Sequence, residues 1–452
     1  MKKIRIGSGA GYAGDRIEPA VELMEKGNLD YIIFECLAER TVAIGQQDKE
    51  KDPSKGYNQL LDYRMEKILP LMAKNKVKVI TNMGAANPVS AAERTCEIAR
   101  KLGVGGLKIA CVTGDDITDE LDKYENEKVL EDGTLLKKKK DVLISANVYM
   151  GAEGITKALE EGANLVITGR VSDPALTIGP LVYEFGWNID DNPDQMGQAV
   201  LAGHLLECGG QGAGGNYMYD WRNVPRMDEL GFPIAELTDD TFEITKAPDC
   251  GGIICEQSCK EQFLYEVHDP ANYLTPDVNV DISHATITQV GDNRVRIGGV
   301  KGKPRPDTLK LCVGYHKGWK TVSMLSFAWP DAYEKAQYCA EVIMKKMQRR
   351  GMKADDIHIS YIGLNSLHLG VADMSEEALK NLNECVLRIA VFSEDKSECA
   401  KIIPEISPLQ LNGPPGASFF GGRARVQEVM ALWPTTVPRD AVQVESHLLE
   451  VK

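Results

Sequence analysis

The first half of the chain alternates two hydrophobic patterns. Short apolar runs without regular polar alternation fall at Ile4–Gly7, Tyr31–Glu35, Val77–Thr81, Lys108–Thr113, Val142–Asn147 and Leu165–Thr168. Longer stretches with a helical repeat lie between most of them, such as Leu60–Asn75 and Ser90–Leu102. Such runs suit strands buried on both faces, and strand-then-helix repetition suits a parallel sheet with helices on either side. The pattern predicts an α/β domain over residues 1–225.

The second half changes character. Asp249–Pro276 is rich in Cys, Gly and aromatics. Ser283–Val290 and Asn293–Gly299 flank a Gly-Asp-Asn turn, which signals a hairpin. Lys310–Gly314, Lys320–Ala328, Ile357–Ile362 and Val386–Val391 read as further strands, and Tyr333–Arg349 reads as a long helix. This predicts an α+β domain over residues 226–452 that completes the site.

Nearly every predicted strand of the first half runs into a polar or glycine-rich loop. In open parallel sheets, ligands bind beyond the carboxyl ends of the strands. That rule gathers Ser8, Asp15, Arg16, Glu35, Glu39, Asn82, Asn87, Asp115, Asp116, Arg170 and Asp173 on one edge. A divalent metal among Glu35, Asp115, Asp116 and Asp173 stays open at this point.

The loop GSGAGYAGDR (residues 7–16) satisfies G-x-G-x-x-G with Gly9, Gly11 and Gly14, and Glu35 stands where a ribose-binding acid would. Asp15, Arg16 and Glu18-Pro19 follow the third glycine, which sets the helix start one step late and counts against NAD or FAD without dismissing them. The favoured reading is an anion held by backbone N–H groups of this loop, with Ser8, Asp15 and Arg16 orienting it. A tight turn that only glycine can make is the plain alternative.

In TGRVSDPALTIGP, Arg170 can clamp a carboxylate or pair with Asp173 to shape its own loop. In GHLLECGGQGAGG, His204, Glu207 and Cys208 share a helix face, which suits an acid–base pair, a metal site or a structural histidine. The glycines after them, including Gly210 and Gly212, end that helix and permit close approach. In EQFLYEVHDPANYLTPDV a helix gives way to a Pro-bounded loop from which Asp277 can reach the first domain. NGPPGASFFGGR (Asn412–Arg423) is a further Gly/Pro loop. There is no G-x-S-x-G elbow, no phosphate-binding G-x-x-x-x-G-K-[ST] loop and no kinase signature set.

Composition narrows the partners. The formal charge of −14 argues against nucleic acid, and the basic run Lys137–Lys140 reads as a solvated edge. No apolar run is long enough to span a bilayer and no leader precedes the first strand, so a cytoplasmic protein without membrane contact is expected. Eleven scattered cysteines read as free thiols, and Cys250, Cys255 and Cys259 lack zinc-site spacing.

Six motifs occur in order: GSGAGYAGDR, FECLAERT, GRVSDPAL, HLLECGGQGAGG, EQFLYEVHDPANYLTPDV and GVKGKPRPDTLK. Together they resemble the acyclic terpene utilisation protein A family over nearly the whole chain. The resemblance implies a bacterial origin and a catabolic setting of acyl-CoA or carboxylate substrates. Many members carry a further ferredoxin-like domain with a Ser-Gly-Asp-Lys-Gly type motif. Its absence from this sequence leads to the expectation of a separate small ferredoxin-like partner subunit.

Two functions follow as expectations. One is a lyase or hydratase acting on a small carboxylate or its CoA thioester, most simply as a homo-oligomer. Glu35, Asp173, His204 or Glu207 would move the proton, while Ser8, Gly9, Gly11, Asp15, Arg16, Asn82, Asn87, Arg170, Gly210 and Gly212 would bind substrate. The other is a non-catalytic binding subunit whose partner carries the chemistry. A nucleotide-dependent enzyme using Gly9–Gly14 is the third reading.

Overall fold

The computed structural model describes residues 2–239, 241–368 and 370–452, with the side chains of Lys139 and Lys140 outside the described set. The first half forms six strands: β1 (Ile4–Ala10), β2 (Tyr31–Phe34), β3 (Lys78–Thr81), β4 (Lys108–Thr113), β5 (Leu143–Val148) and β6 (Leu165–Thr168). Five of them pair in parallel in the order β1-β2-β3-β6-β4. Helices α1 (Glu18–Lys26), α2 (Glu39–Lys51), α3 (Leu61–Asn75) and α4 (Pro88–Lys101) come before β4, and α5 (Glu153–Glu160), α6 (Ala175–Phe185) and α7 (Pro193–Glu207) after it.

Burial on both faces explains the unbroken apolar runs. Ile32, Phe34, Val79, Ile109 and Leu165 pack with residues of α1, α3 and α4, such as Leu23, Ile68 and Ala99. Ile6, Ile33, Ile80, Ala110 and Val166 pack with residues of α5, α6 and α7, such as Ile155, Leu181 and Leu205. The expected α/β layer, a parallel sheet with helices on both faces, is the fold of this region.

The sheet does not stop at residue 225. β7 (Pro233–Leu237) lies antiparallel to β1, and β8 (Phe242–Lys246) continues it. Helix α8 (Glu256–Leu264), β9 (Tyr273–Leu274) and β10 (Asn279–Asp281) follow. The expected hairpin forms as β11 (Thr286–Gly291) and β12 (Arg294–Gly298), and β12 adds to β8. β13 (Lys301–Lys303) joins β10 and β9 in a small antiparallel sheet. The loops change composition near residue 225, but β1 still has an unpaired backbone edge, and β7 satisfies it.

The chain forms two compact units, Met1–Gly314 with Leu432–Lys452, and Tyr315–Ala431. β14 (Thr308–Ala328) starts in the first and continues into the second as one strand, where the sequence reads as two. In the second unit β14, β15 (Asp356–Ile362), β16 (Glu384–Ser393) and β17 (Ala417–Phe419) form an antiparallel sheet, with α9 (Ala332–Arg349) packed on it. This is the expected C-terminal α+β character. β18 (Val426–Pro438) pairs with β14, and β19 (Glu445–Glu450) closes the far edge of the large sheet against β4, making ten strands. β5 leaves that sheet and pairs with β14 instead.

No helix of the described residues is long and apolar enough to cross a membrane. All eleven cysteines are free, and Lys137 and Lys138 are exposed.

The junction between parallel and antiparallel strands is held by charge. Glu236 on β7 is opposite Arg5 on β1 in register, and its side chain is only 3% exposed. Its carboxylate pairs with Arg5, Lys3 (3.0 Å) and Arg294 (2.7 Å). Arg5 is partly buried and close enough to Arg294 for the two charges to repel. Glu236→Ala is therefore expected to cost about 1–2 kcal/mol, because it removes the shared counter-charge of three part-exposed cations, of which Arg294 keeps Glu243. The shift of the urea-unfolding midpoint against wild type measures this.

Candidate active site

The carboxyl ends of β2, β4 and β6 meet at one fully buried cation. Arg170, in the loop after β6, is 1% exposed. Its Nε donates to the Val171 carbonyl (2.8 Å), Nη1 to the Leu37 carbonyl, and Nη2 to Val171 and Asp173. Its backbone N–H donates to Asp115 Oδ2 (2.9 Å), which also takes Asn147 Nδ2 (2.8 Å). The guanidinium lies 4.4 Å from the centre of the Tyr149 ring. So Arg170 mainly holds its own loops together, as the plainer of the two sequence readings had it. The field of its charge still acts on Asp173, Tyr149 and Glu35.

Glu35 closes β2 and is buried. Its Oε1 accepts from the Leu37 N–H (2.8 Å) and from Asn82 Nδ2 (3.0 Å). Asn82 Oδ1 in turn accepts from the Cys36 N–H (2.7 Å), so one amide fixes the whole segment. Burial, and then the nearby Asp173 carboxylate, push the Glu35 carboxyl up to about 8, although Arg170 and the two donors pull it down. Burial likewise lifts Asp115 to about 6. Glu35 thus keeps its proton at neutral pH beside a carboxylate that is ion-paired.

His204 and Glu207 form a second pair on the last turn of α7. Nδ1 of His204 lies 3.0 Å from Glu207 Oε1, as the spacing of three residues allows. Burial raises Glu207 to about 7, and Glu207 raises His204 against its own burial. Each of the two groups therefore holds a proton more strongly than it would free in water. His204 Nε2 and Glu207 Oε2 are buried and have no protein partner. Tyr273 packs edge-on against His204, with ring centres 5.6 Å apart. Glu207 also feels the charge of Asp173, which brings the two pairs into one electrostatic unit.

A cavity of about 350 Å³ opens there, with Tyr149, Ser172, Asp173, Tyr273 and Lys310 as its polar wall. Tyr149 donates to Glu39 Oε1, which also accepts from Lys310 Nζ (3.0 Å). Those contacts outweigh burial and hold Glu39 down at about 2. Leu130, Pro174, Leu274 and Leu309 supply an apolar wall. Tyr149 and Lys310 were not singled out from the sequence. Lys310 ends the GVKGKPRPDTLK motif, but nothing local sets either residue apart from its neighbours.

The glycine-rich loop is used differently from the sequence reading. Gly9 lies within β1 against the Phe34 ring, and a side chain at Gly11 would collide with the Cys208 backbone. The anion held by the loop is its own Asp15. Oδ2 accepts from the Gly11 N–H and Oδ1 from the Arg16 N–H, each at 2.9 Å. The Arg16 side chain turns to the Leu230 carbonyl and the Phe232 ring. Gly210 packs on Leu230 and Phe232, and Gly212 packs on Pro233. Asn87 caps α4 and donates to the carbonyls of Pro53 (2.9 Å) and Lys55 (2.7 Å).

Ser8 is buried on the β1 face that carries Ile4 and Ile6, with its hydroxyl unpartnered. Asp277 does reach the first half, accepting the Ala152 N–H (2.8 Å). Asp116 turns instead to Gln46 and Thr118. Among the described residues no three His, Cys, Asp or Glu side chains gather to hold a metal.

A family model described as "Acyclic terpene utilisation family protein AtuA" matches residues 4–448. The chain belongs to the AtuA family. The family description gives it a role in the catabolism of acyclic terpenes. No curated protein and no solved structure matches it.

The buried Glu35 of this AtuA-family chain sets a pH dependence. Its pKa is raised on folding, so the folded state binds one more proton than the unfolded state between about 4.5 and 8. Stability must then fall as pH rises through that window, with a slope of at most about 1.4 kcal/mol per pH unit from this group. Glu35→Gln is expected to remove that part of the slope, measured by denaturant unfolding at pH 5, 6, 7 and 8.

Proposed function

We propose that this chain is a catabolic lyase or hydratase acting on a small carboxylate or its CoA thioester. The observation that carries the reading is a pair of carboxyls in unlike states beside one cation. Asp173 is ion-paired with Arg170 in the cavity wall, and the buried Glu35 carboxyl is pushed up to about 8. Two carboxyls with environments of this contrast suit the base and acid of one reaction.

In the dehydrating direction, Asp173 takes a proton from the carbon next to the substrate carbonyl. The electron pair of that C–H bond becomes the new carbon–carbon double bond. The C–O bond to the neighbouring hydroxyl breaks, and Glu35 supplies the proton with which it leaves as water. Hydration is the reverse. Arg170 and Lys310 offer positive charge to the enolate-like transition state, and Tyr149 is held between them. The His204–Glu207 pair, behind Tyr273 of the cavity wall and within the field of Asp173, is a second proton store that resets the first pair after turnover.

A panel of 3-hydroxy acids, their CoA thioesters and the matching unsaturated acids tests this. Exchange of the α-proton in deuterated buffer is read by NMR, and double-bond formation by ultraviolet absorbance. Glu35→Gln and Asp173→Asn are each expected to lower kcat at least about 100-fold. Full turnover in both variants would refute the assignment.

A further inference from the structure

A second cavity, of about 550 Å³, is walled by α8 and by the loop of residues 214–218. It shares no lining residue with the Asp173 cavity. Met218, Leu264 and Tyr265 in its wall are exposed, and Tyr217 adds a second aromatic ring. Glu261 is the one charged residue of the wall, and it is partly exposed. Its carboxylate accepts from the N–H groups of Met218 (2.8 Å) and Tyr219 (3.3 Å) and from Gln257 Nε2 (3.2 Å). These neutral donors fix it at the wall.

Among the described residues no Lys, Arg or His pairs with Glu261; its neighbour Lys260 pairs with Glu256 (3.6 Å). Asp220 acts on the Tyr217 ring together with Glu261, and Glu266 acts on Tyr265, so the potential at the wall is negative. Gln262, also in the wall, is only 2% exposed. Its Nε2 donates to the His204 carbonyl (3.3 Å), while its Oε1 is buried and has no donor. A buried amide oxygen left without a donor is costly. An acid without a cation, an acceptor without a donor and two aromatic rings call for one kind of group: a cation that carries N–H. An anion would meet Glu261, and a neutral alcohol would leave the charge unanswered.

We propose that this cavity is a second ligand site, for a primary organic amine in its protonated form. The ammonium group is held by the Glu261 carboxylate and donates to Gln262 Oε1, and the apolar body lies against Met218, Leu264 and the tyrosine rings. This goes beyond the acid–base reading and does not depend on it.

Calorimetric titration of the full chain with phenethylammonium chloride tests the proposal, beside phenethyl alcohol, phenylpropionate and the N-trimethylated amine. One amine is expected to bind per chain. The alcohol, which lacks the charge, and the trimethylated cation, which lacks N–H, should each bind at least about tenfold more weakly, and the carboxylate should not bind. Glu261→Gln keeps an acceptor for the Met218 N–H and should weaken the amine about tenfold. Leu264→Trp, at an exposed wall position, should abolish binding by filling the cavity, and gives the same test if Glu261→Gln disturbs the loop. Asp173→Asn, which alters the other cavity, should leave binding unchanged. Absence of amine binding, equal binding of the alcohol or the trimethylated cation, binding of undiminished affinity in Glu261→Gln or Leu264→Trp, or loss in Asp173→Asn would each overturn the proposal.

Discussion

The site depends on one buried guanidinium. Arg170 ties the carbonyl at Leu37, after β2, to its own loop after β6, and its backbone N–H is held by Asp115, after β4. A buried arginine with nearly every donor occupied is a rigid junction, because releasing any acceptor would orphan it in a dry interior. Asn82 adds the end of β3 by clamping both Glu35 and Cys36. Four strand ends are thereby fixed relative to one another before any ligand arrives. That is the preorganisation an electrostatic active site requires.

The same junction separates the two carboxyls chemically. Asp173 points a carboxylate at the guanidinium, while Glu35 lies behind, buried and close to that negative charge. Burial and that charge push the Glu35 carboxyl up, while Asp173 is partly exposed and ion-paired. The fold thus gives two like side chains unlike surroundings. The His204–Glu207 pair repeats the principle with an imidazole, on a helix that the sheet face carrying Ser8 packs against.

The glycines serve packing. Gly9 and Gly11 let the loop after β1 press on the Phe34 ring and on the Cys208 backbone, which brings the end of α7 to the strand ends. This close approach sets His204 and Glu207 beside the Arg170 junction. A loop that reads as ligand-binding turns out to hold the protein to itself, with Asp15 as its internal anion. Arg64, beneath that loop, donates to the Asp15 carbonyl and to the sulfurs of Cys36 and Met83.

Local sequence was enough for the strands and helices of the first half, because burial on both faces writes an apolar run and a one-sided helix writes its own period. It was also enough for the edge at which Glu35, Asn82, Arg170 and Asp173 gather, since parallel strands put their carboxyl ends together. The pairing His204–Glu207 was legible from a three-residue spacing on one helix. Tertiary structure alone decided which strands share a sheet. β5 has the pattern of its neighbours yet pairs with β14, and β7 completes β1 from beyond residue 225. It alone brought Tyr149 and Lys310 to Glu39, and turned Asp15 and Arg16 to the protein's own backbone groups. The reason is physical: periodicity records which face of an element is buried, while the partner across that face, and the field it exerts on a buried carboxyl, depend on residues far away in the chain.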